Sequence, residues 1–142
     1  MNELAQTRKD QIFKLEEVLQ KLPQATARVT HHFAEGVYVR AIYLPKGIIL
    51  TSKIHRYGCV NIMARGHVRT VTTTQTEEVV EVYKGFAIFS GSPGMKRAMV
   101  ALEDTVWITV HRNPDNERDL EKLEGCLIAT NFEALTLSLI HI

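Results

Sequence analysis

Long hydrophobic runs are missing from the 142-residue chain: no stretch approaches the roughly 18–20 apolar residues that carry a helix across a bilayer. No membrane contact is therefore expected. Cysteine is scarce too. Cys59 and Cys126 are the only two and form no CxxC pattern, which excludes a disulfide-stapled miniprotein and fits two free thiols in a reducing cytosol. Neither sign of charge prevails, with 17 Lys+Arg against 16 Asp+Glu, so the footprint of a dedicated nucleic-acid or membrane-surface binder is absent. Glycine (8) and proline (4) are too few for a collagen-like or low-complexity chain. The opening residues, Met1 to Phe13, are polar and charged rather than a secretory leader, which sets the expectation of a cytosolic protein. Internal repeats, a dinucleotide fingerprint, a Ser-His-Asp order and paired catalytic carboxylates are all lacking. The Gly91–Lys96 loop does not end in the GK[ST] of a phosphate loop.

What remains is a chain that is 45% hydrophobic and 23% charged, enough to bury one core. Ile12, Leu15, Val18, Leu19 and Leu22 recur at three- and four-residue steps, with Lys14, Glu16, Glu17 and Lys21 between them. That spacing predicts an amphipathic helix, capped near Asn2 or Thr7 and ended by Pro23. From Arg28 to His111 the texture changes to short Val-, Ile-, Thr-, Tyr- and Phe-rich runs. They are Arg28–His32, Val37–Leu44, Ile48–Ile54, Val60–Ala64, His67–Thr73, Glu78–Tyr83, Phe86–Phe89, Ala98–Leu102 and Thr105–His111. Eight or nine short strands without intervening helices predict an all-β sandwich or barrel. Pro45-Lys46-Gly47 suits a type II turn, and Gly91-Ser92-Pro93-Gly94 reads as a loop. Asn113-Pro114-Asp115-Asn116 reads as the start of a short helix containing Leu120, Leu123 and Glu124 and stopped by Gly125. Beyond it, Leu135, Leu137 and Leu139 alternate as a strand does, so the tail is expected to pack on the domain or on another subunit. A homo-oligomer, most simply a dimer, follows. The organisation is thus residues 1–27 as helix and linker, 28–112 as barrel, and 113–142 as short helix and apolar tail.

One stretch carries a resemblance. Gly47, Lys53, His55, Cys59 and Gly66 stand at the spacing of the first conserved motif of the cupin superfamily, and Gly85 through Pro93-Gly94 to Arg97 is similar to the second. The resemblance implies a mainly β, single jelly-roll barrel, in agreement with the strand count. It also implies four metal-ligand slots, which here hold Lys53, His55, Cys59 and either Lys96 or Arg97. One imidazole among cations does not make a divalent-metal site, so no metal and no other cofactor is expected. The wider pattern looks like small cupin-like proteins of tailed bacteriophages and prophages, of unassigned function. It runs from His31-His32-Phe33 through Gly36–Arg40, Asn61-Ile62 and Glu103–Trp107 to Asp119–Glu124. Members with this pattern carry a second His near the place of Cys59, which this chain lacks. The resemblance implies a host-cytoplasm setting, with a virion association as the alternative.

Lys53 and His55 lie two apart on one expected strand and so share a face. The cupin register points that face inward, which implies a polar pocket. Arg40, Arg97, Lys53 and Lys96 are the cations that could surround it, and two or more pointing inward would favour a carboxylate, phosphate or nucleotide. Trp107, Tyr38 and Tyr57 could supply a stacking wall, and Asn61 a polar contact. His32, His55 and His111 form the one alternative metal set, three His being the number a catalytic zinc uses. His31 and His32 face opposite ways, so one at most could join. Cys59 lies about 13 Å from His55 along a regular strand, unless a turn at Tyr57-Gly58 brings them together; otherwise it is an inert buried thiol. The leading expectation is a non-enzymatic, phage-type module binding a small anionic molecule or a protein partner. The alternatives are a structural virion or assembly protein, and a small isomerase with His55 as general base.

Overall fold

Alternating burial along short β-branched segments closes the chain into two antiparallel sheets. The computed structural model describes residues 3–21, 27–73 and 77–128. The expected helix stop at Pro23 and the alternating tail at Leu135, Leu137 and Leu139 lie outside these residues. The elements are α1 (Glu3–Gln20), β1 (Arg28–Ala34), β2 (Val37–Leu44), β3 (Ile49–Thr51), β4 (Cys59–Arg65), β5 (His67–Thr73), β6 (Glu78–Lys84), β7 (Ala87–Gly91), β8 (Lys96–Ala101), β9 (Thr105–Arg112) and α2 (Leu120–Leu127). One sheet runs β1-β2-β9-β4-β7 and the other β3-β8-β5-β6. This is the expected jelly-roll barrel flanked by two helices.

Strand β9 shows how the barrel is filled. Thr105, Trp107, Thr109 and His111 are buried in alternation with Val106, Ile108 and Val110. The inward set is apolar at one end and polar at the other. Trp107 joins Ile42, Leu44, Met63, Val68, Met99 and Ala101 in the closed core. Thr109 and His111 continue toward Asn61, Arg40 and Tyr38 at the open end. Gly66 joins β4 to β5 with φ +122, and a Cβ there would strike the backbone of Thr105, so glycine is required at that corner.

Helix α1 lies against β3, β5 and β8 on the outside of the four-stranded sheet. It is fastened by a buried ion pair, Lys96 Nζ donating to Glu16 Oε2 at 2.9 Å with both side chains fully buried. Thr51 Oγ1 donates to the same carboxylate at 2.7 Å, and Lys96 Nζ also reaches the Ser52 carbonyl at 2.8 Å. Glu16 therefore belongs to the buried side of a helix on which its neighbours suggested a polar one.

Three expectations are corrected. The third strand ends at Thr51 rather than Ile54, because only Ile49, Leu50 and Thr51 find ladder partners on β8. The last helix begins at Leu120, where Asp119 caps the amides of Glu121 and Lys122. Asn113–Asn116 closes instead as a turn, Asn116 N donating to Asn113 O at 3.1 Å. Gly125 lies inside α2 and does not end it. The Pro45-Lys46-Gly47 turn forms as expected, with Ile48 N bonded to Pro45 O at 3.2 Å and Gly47 at φ +90.

Candidate functional site

The polar end of the barrel holds a cavity of about 130 Å³, and the six residues expected to bind a ligand, Arg40, Lys53, His55, Asn61, Arg97 and Trp107, line it together with Tyr38 and His111. Register decides this for Arg40, which stands opposite Thr109 and His31 on the inward face of β2. It also settles the second-motif slot. Arg97 shares the inward face of β8 with Met99 and Ala101, whereas Lys96 points outward beneath α1.

Lys53 and His55 do not share a strand face, because β3 has already ended. His55 is held instead by its own backbone, its N bonded to Met95 O at 3.3 Å and its carbonyl accepting from Gly94 N at 2.7 Å. Its ring is buried inside, while Lys53 sits at the rim in an ion pair with Glu124 of α2. The bend at Tyr57-Gly58 does bring Cys59 back, with Sγ 3.6 Å from His55 Nδ1. Asn61 Nδ2 approaches that sulfur at 3.8 Å, and Asn61 Oδ1 accepts from Thr109 Oγ1 at 3.2 Å. The His111 ring meets His55 edge-on at 5.6 Å and stacks on Tyr38 at 5.7 Å. Tyr38 in turn shares a 2.7 Å hydrogen bond with His31.

The two interior arginines are satisfied unequally. Arg97 donates from Nε to Thr72 Oγ1 at 2.9 Å and from Nη2 to Met95 Sδ at 3.6 Å. Its guanidinium also lies 5.3 Å from the Phe89 ring centre and 5.4 Å from that of Trp107. Arg40 differs: its Nε is buried and has no hydrogen-bond partner among the described residues. Burial lowers the pKa of both guanidinium groups, yet arginine keeps its charge in proteins. Burial, aided by His111 and the nearby Arg40, Arg97 and Lys96, lowers His55 to about 3. Burial and Arg40 lower His111 to about 4, so both imidazoles are neutral at pH 7. Burial raises the Cys59 thiol, more than Arg97 and Asn61 lower it.

Helix α2 roofs the opening. Leu123 and Leu127 pack on Tyr38 and Phe33, and Leu120, Leu123, Glu124 and Leu127 line the cavity. Arg56 holds the end of the roof, its N bonded to Leu127 O at 2.8 Å and its Nε to the Ile128 carbonyl. The apolar spacing of Leu120, Leu123 and Leu127 is visible in the sequence; that Glu124 would meet Lys53 is not.

Three candidates fall outside. Tyr57 is exposed beneath Arg112, whose Cζ is 4.6 Å from its ring centre. Lys96 is occupied by Glu16. His32 is exposed on the outer face, 3.0 Å from Thr30 Oγ1, because it alternates with the inward His31. Its set with His55 and His111 therefore does not assemble, and no cluster of three or more His, Cys, Asp and Glu that could hold a metal occurs among the described residues. The four positions that the motif resemblance assigns to metal ligands hold Lys53, His55, Cys59 and Arg97. A neutral thiol and one imidazole among buried guanidinium groups do not suit a divalent cation.

No protein-family model and no curated protein matches the chain. Solved structures do. The S161A mutant of Bacillus subtilis oxalate decarboxylase is 13% identical with a TM-score of 0.60, over 78% of this chain and 29% of that one. An RmlC-like cupin from Shewanella frigidimarina is 16% identical at a TM-score of 0.53, over 67% and 80% of the two chains. KdgF from Halomonas sp. is 13% identical at 0.52, over 67% and 83%. By fold, then, this is a cupin-type jelly roll. At these identities the likeness extends to the fold and leaves the chemistry to the chain's own residues.

Proposed function

We propose that the chain is a phage-type cupin module that binds a small anion in its barrel and does not turn it over. The observation that carries the reading is Arg40, whose Nε is buried and unpartnered among the described residues at the wall of a cavity. Leaving such a donor unsatisfied is costly, and an anionic ligand supplies what the protein does not. A structural jelly roll has no need of this hollow, which disfavours the virion alternative. A general base needs a conjugate acid near the working pH, and His55 at about 3 is far below it, which disfavours the isomerase. The phage setting and the host cytoplasm rest on the sequence resemblance alone.

The measurement is thermal stability of the full chain against phosphate, oxalate, nucleotides and monocarboxylates. A ligand at about 100 times its Kd adds about 2.7 kcal/mol of stability. We expect at least one small anion to raise the melting temperature, and Arg40→Met to abolish the rise. A parent that responds to no anion transfers the case to the structural reading.

Self-association is the second part of the proposal. The outer face of the five-stranded sheet supports it. There Val39, Val110 and Val60 line up across β2, β9 and β4, and beside them Ile108, Ile62 and Ile88 line up across β9, β4 and β7.

A further inference from the structure

Among the described residues, one cation on the cavity wall has a buried donor without a hydrogen-bond partner. Lys53 is neutralised by Glu124 at the rim. Arg97 is held by Thr72, by the Met95 sulfur and by the faces of Phe89 and Trp107. The three imidazoles on the wall, His31, His55 and His111, all have lowered pKa values and add no charge at neutral pH. Arg97 keeps its charge with neutral partners only, whereas Arg40 is left, among the described residues, with a buried donor that has no partner at all.

The surface around that charge is apolar. Ile42 and Leu44 follow Arg40 on the same inward face of β2, at steps of roughly 7 Å. Leu50 and Met99 face them from the other sheet, and Leu123 and Leu127 close the roof. The wall therefore passes from one cation to aliphatic side chains within the length of a few carbon atoms.

We infer that the ligand is a monocarboxylate with an apolar body, its carboxylate on the Arg40 guanidinium and its hydrocarbon part against Ile42, Leu50, Met99 and the underside of α2. This rests on the anion-binding reading above and narrows it. A guanidinium fork matches a carboxylate in geometry and in charge. A second negative charge would have to be desolvated beside aliphatic side chains, where the other interior guanidinium, Arg97, already spends its Nε and Nη2 on Thr72 and Met95.

Calorimetric titration and melting shifts on the full chain test this with five probes. Hexanoate and phenylacetate are the expected ligands. Hexanol is the neutral control, and adipate and inorganic phosphate carry the additional charge. We expect either monocarboxylate to bind at least about tenfold more tightly than hexanol, adipate or phosphate, a difference of about 1.4 kcal/mol or more. In Arg40→Met the advantage of hexanoate over hexanol should vanish, and in Arg40→Lys part of it should return. Circular dichroism of each variant establishes that the barrel is intact. Tighter binding of phosphate or adipate overturns the inference and leaves the anion-binding reading standing. Equal binding of hexanol and hexanoate, or a preference that survives Arg40→Met, also overturns it. Binding of none of the probes removes both.

Discussion

Arg40 is a destabilising residue in the unliganded protein. Its Nε is buried without a partner, and an unsatisfied buried donor costs about 1–3 kcal/mol, more when it is charged. Methionine has similar length and no charge to solvate. Arg40→Met should therefore raise the unliganded stability by about 1–3 kcal/mol in urea titrations while it removes the ligand response. A variant that loses stability would show that the guanidinium is satisfied in the folded chain. His55 and His111 act in the opposite direction with pH. Folded, they titrate at about 3 and about 4, against about 6.5 for an unfolded histidine. Between those values the unfolded chain binds more protons, so the stability they contribute is present above pH 6.5 and is lost as the pH falls. Each accounts for up to about 1.4 kcal/mol per pH unit. From pH 6.5 to 4.5 the parent should lose about 2 kcal/mol more than His55→Leu, read from denaturant midpoints. Equal slopes would place the His55 ring in solvent.

Among the elements, α1 has the clearest energetic signature. The Glu16–Lys96 pair joins it to β8 with both charges fully buried. Removing one partner of such a pair strands the other charge, at a cost of roughly 3–5 kcal/mol, whereas replacing both with apolar residues is often neutral. Lys96→Met should accordingly destabilise the protein severely, and the Glu16→Leu, Lys96→Met double variant should recover most of the loss. A double-mutant cycle in urea reads the coupling, and additive effects would mean that α1 does not seat on β8. Helix α2 is fixed by other means: a cap at Asp119, two leucines on Tyr38 and Phe33, and one rim ion pair. Each barrel end is thus covered differently, the core end by side-chain packing and the polar end by a helix.

At the scale of the whole molecule, the proposed self-association places the outer face of the five-stranded sheet against a second copy. Val60 is 39% and Ile88 59% exposed on a sheet face where Val39, Val110, Ile108 and Ile62 lie beside them, bordered by polar residues such as Ser90 and His32. Isologous pairing of such a face is the simplest closed assembly. Light scattering should report a dimer for the parent and a monomer for Ile62→Asp, Ile88→Asp. A monomeric, unaggregated parent counts against this face as an interface.

Most elements and the fold class were legible in the order of the residues. Period-two runs broken by Gly and Pro marked eight or nine strands, and Leu120 with Leu123 marked a last helix, though not its continuation past Gly125 to Leu127, because local alternation is imposed by the burial that each element must achieve. His55 was legible as a pocket residue through motif spacing, and Arg40, Asn61 and Arg97 stood among the candidates around it, all four of which line the cavity. What only the tertiary structure decided lies between segments far apart in the chain. Where β3 stops depends on the length of its ladder with β8, and that separates Lys53 from His55. Which of Lys96 and Arg97 turns inward depends on register, where one residue changes the face. Glu16 finds Lys96, and Glu124 finds Lys53, across 80 and 71 positions. Pairing of that kind follows from how the sheets close in space, and nothing in the neighbouring residues of either partner encodes it.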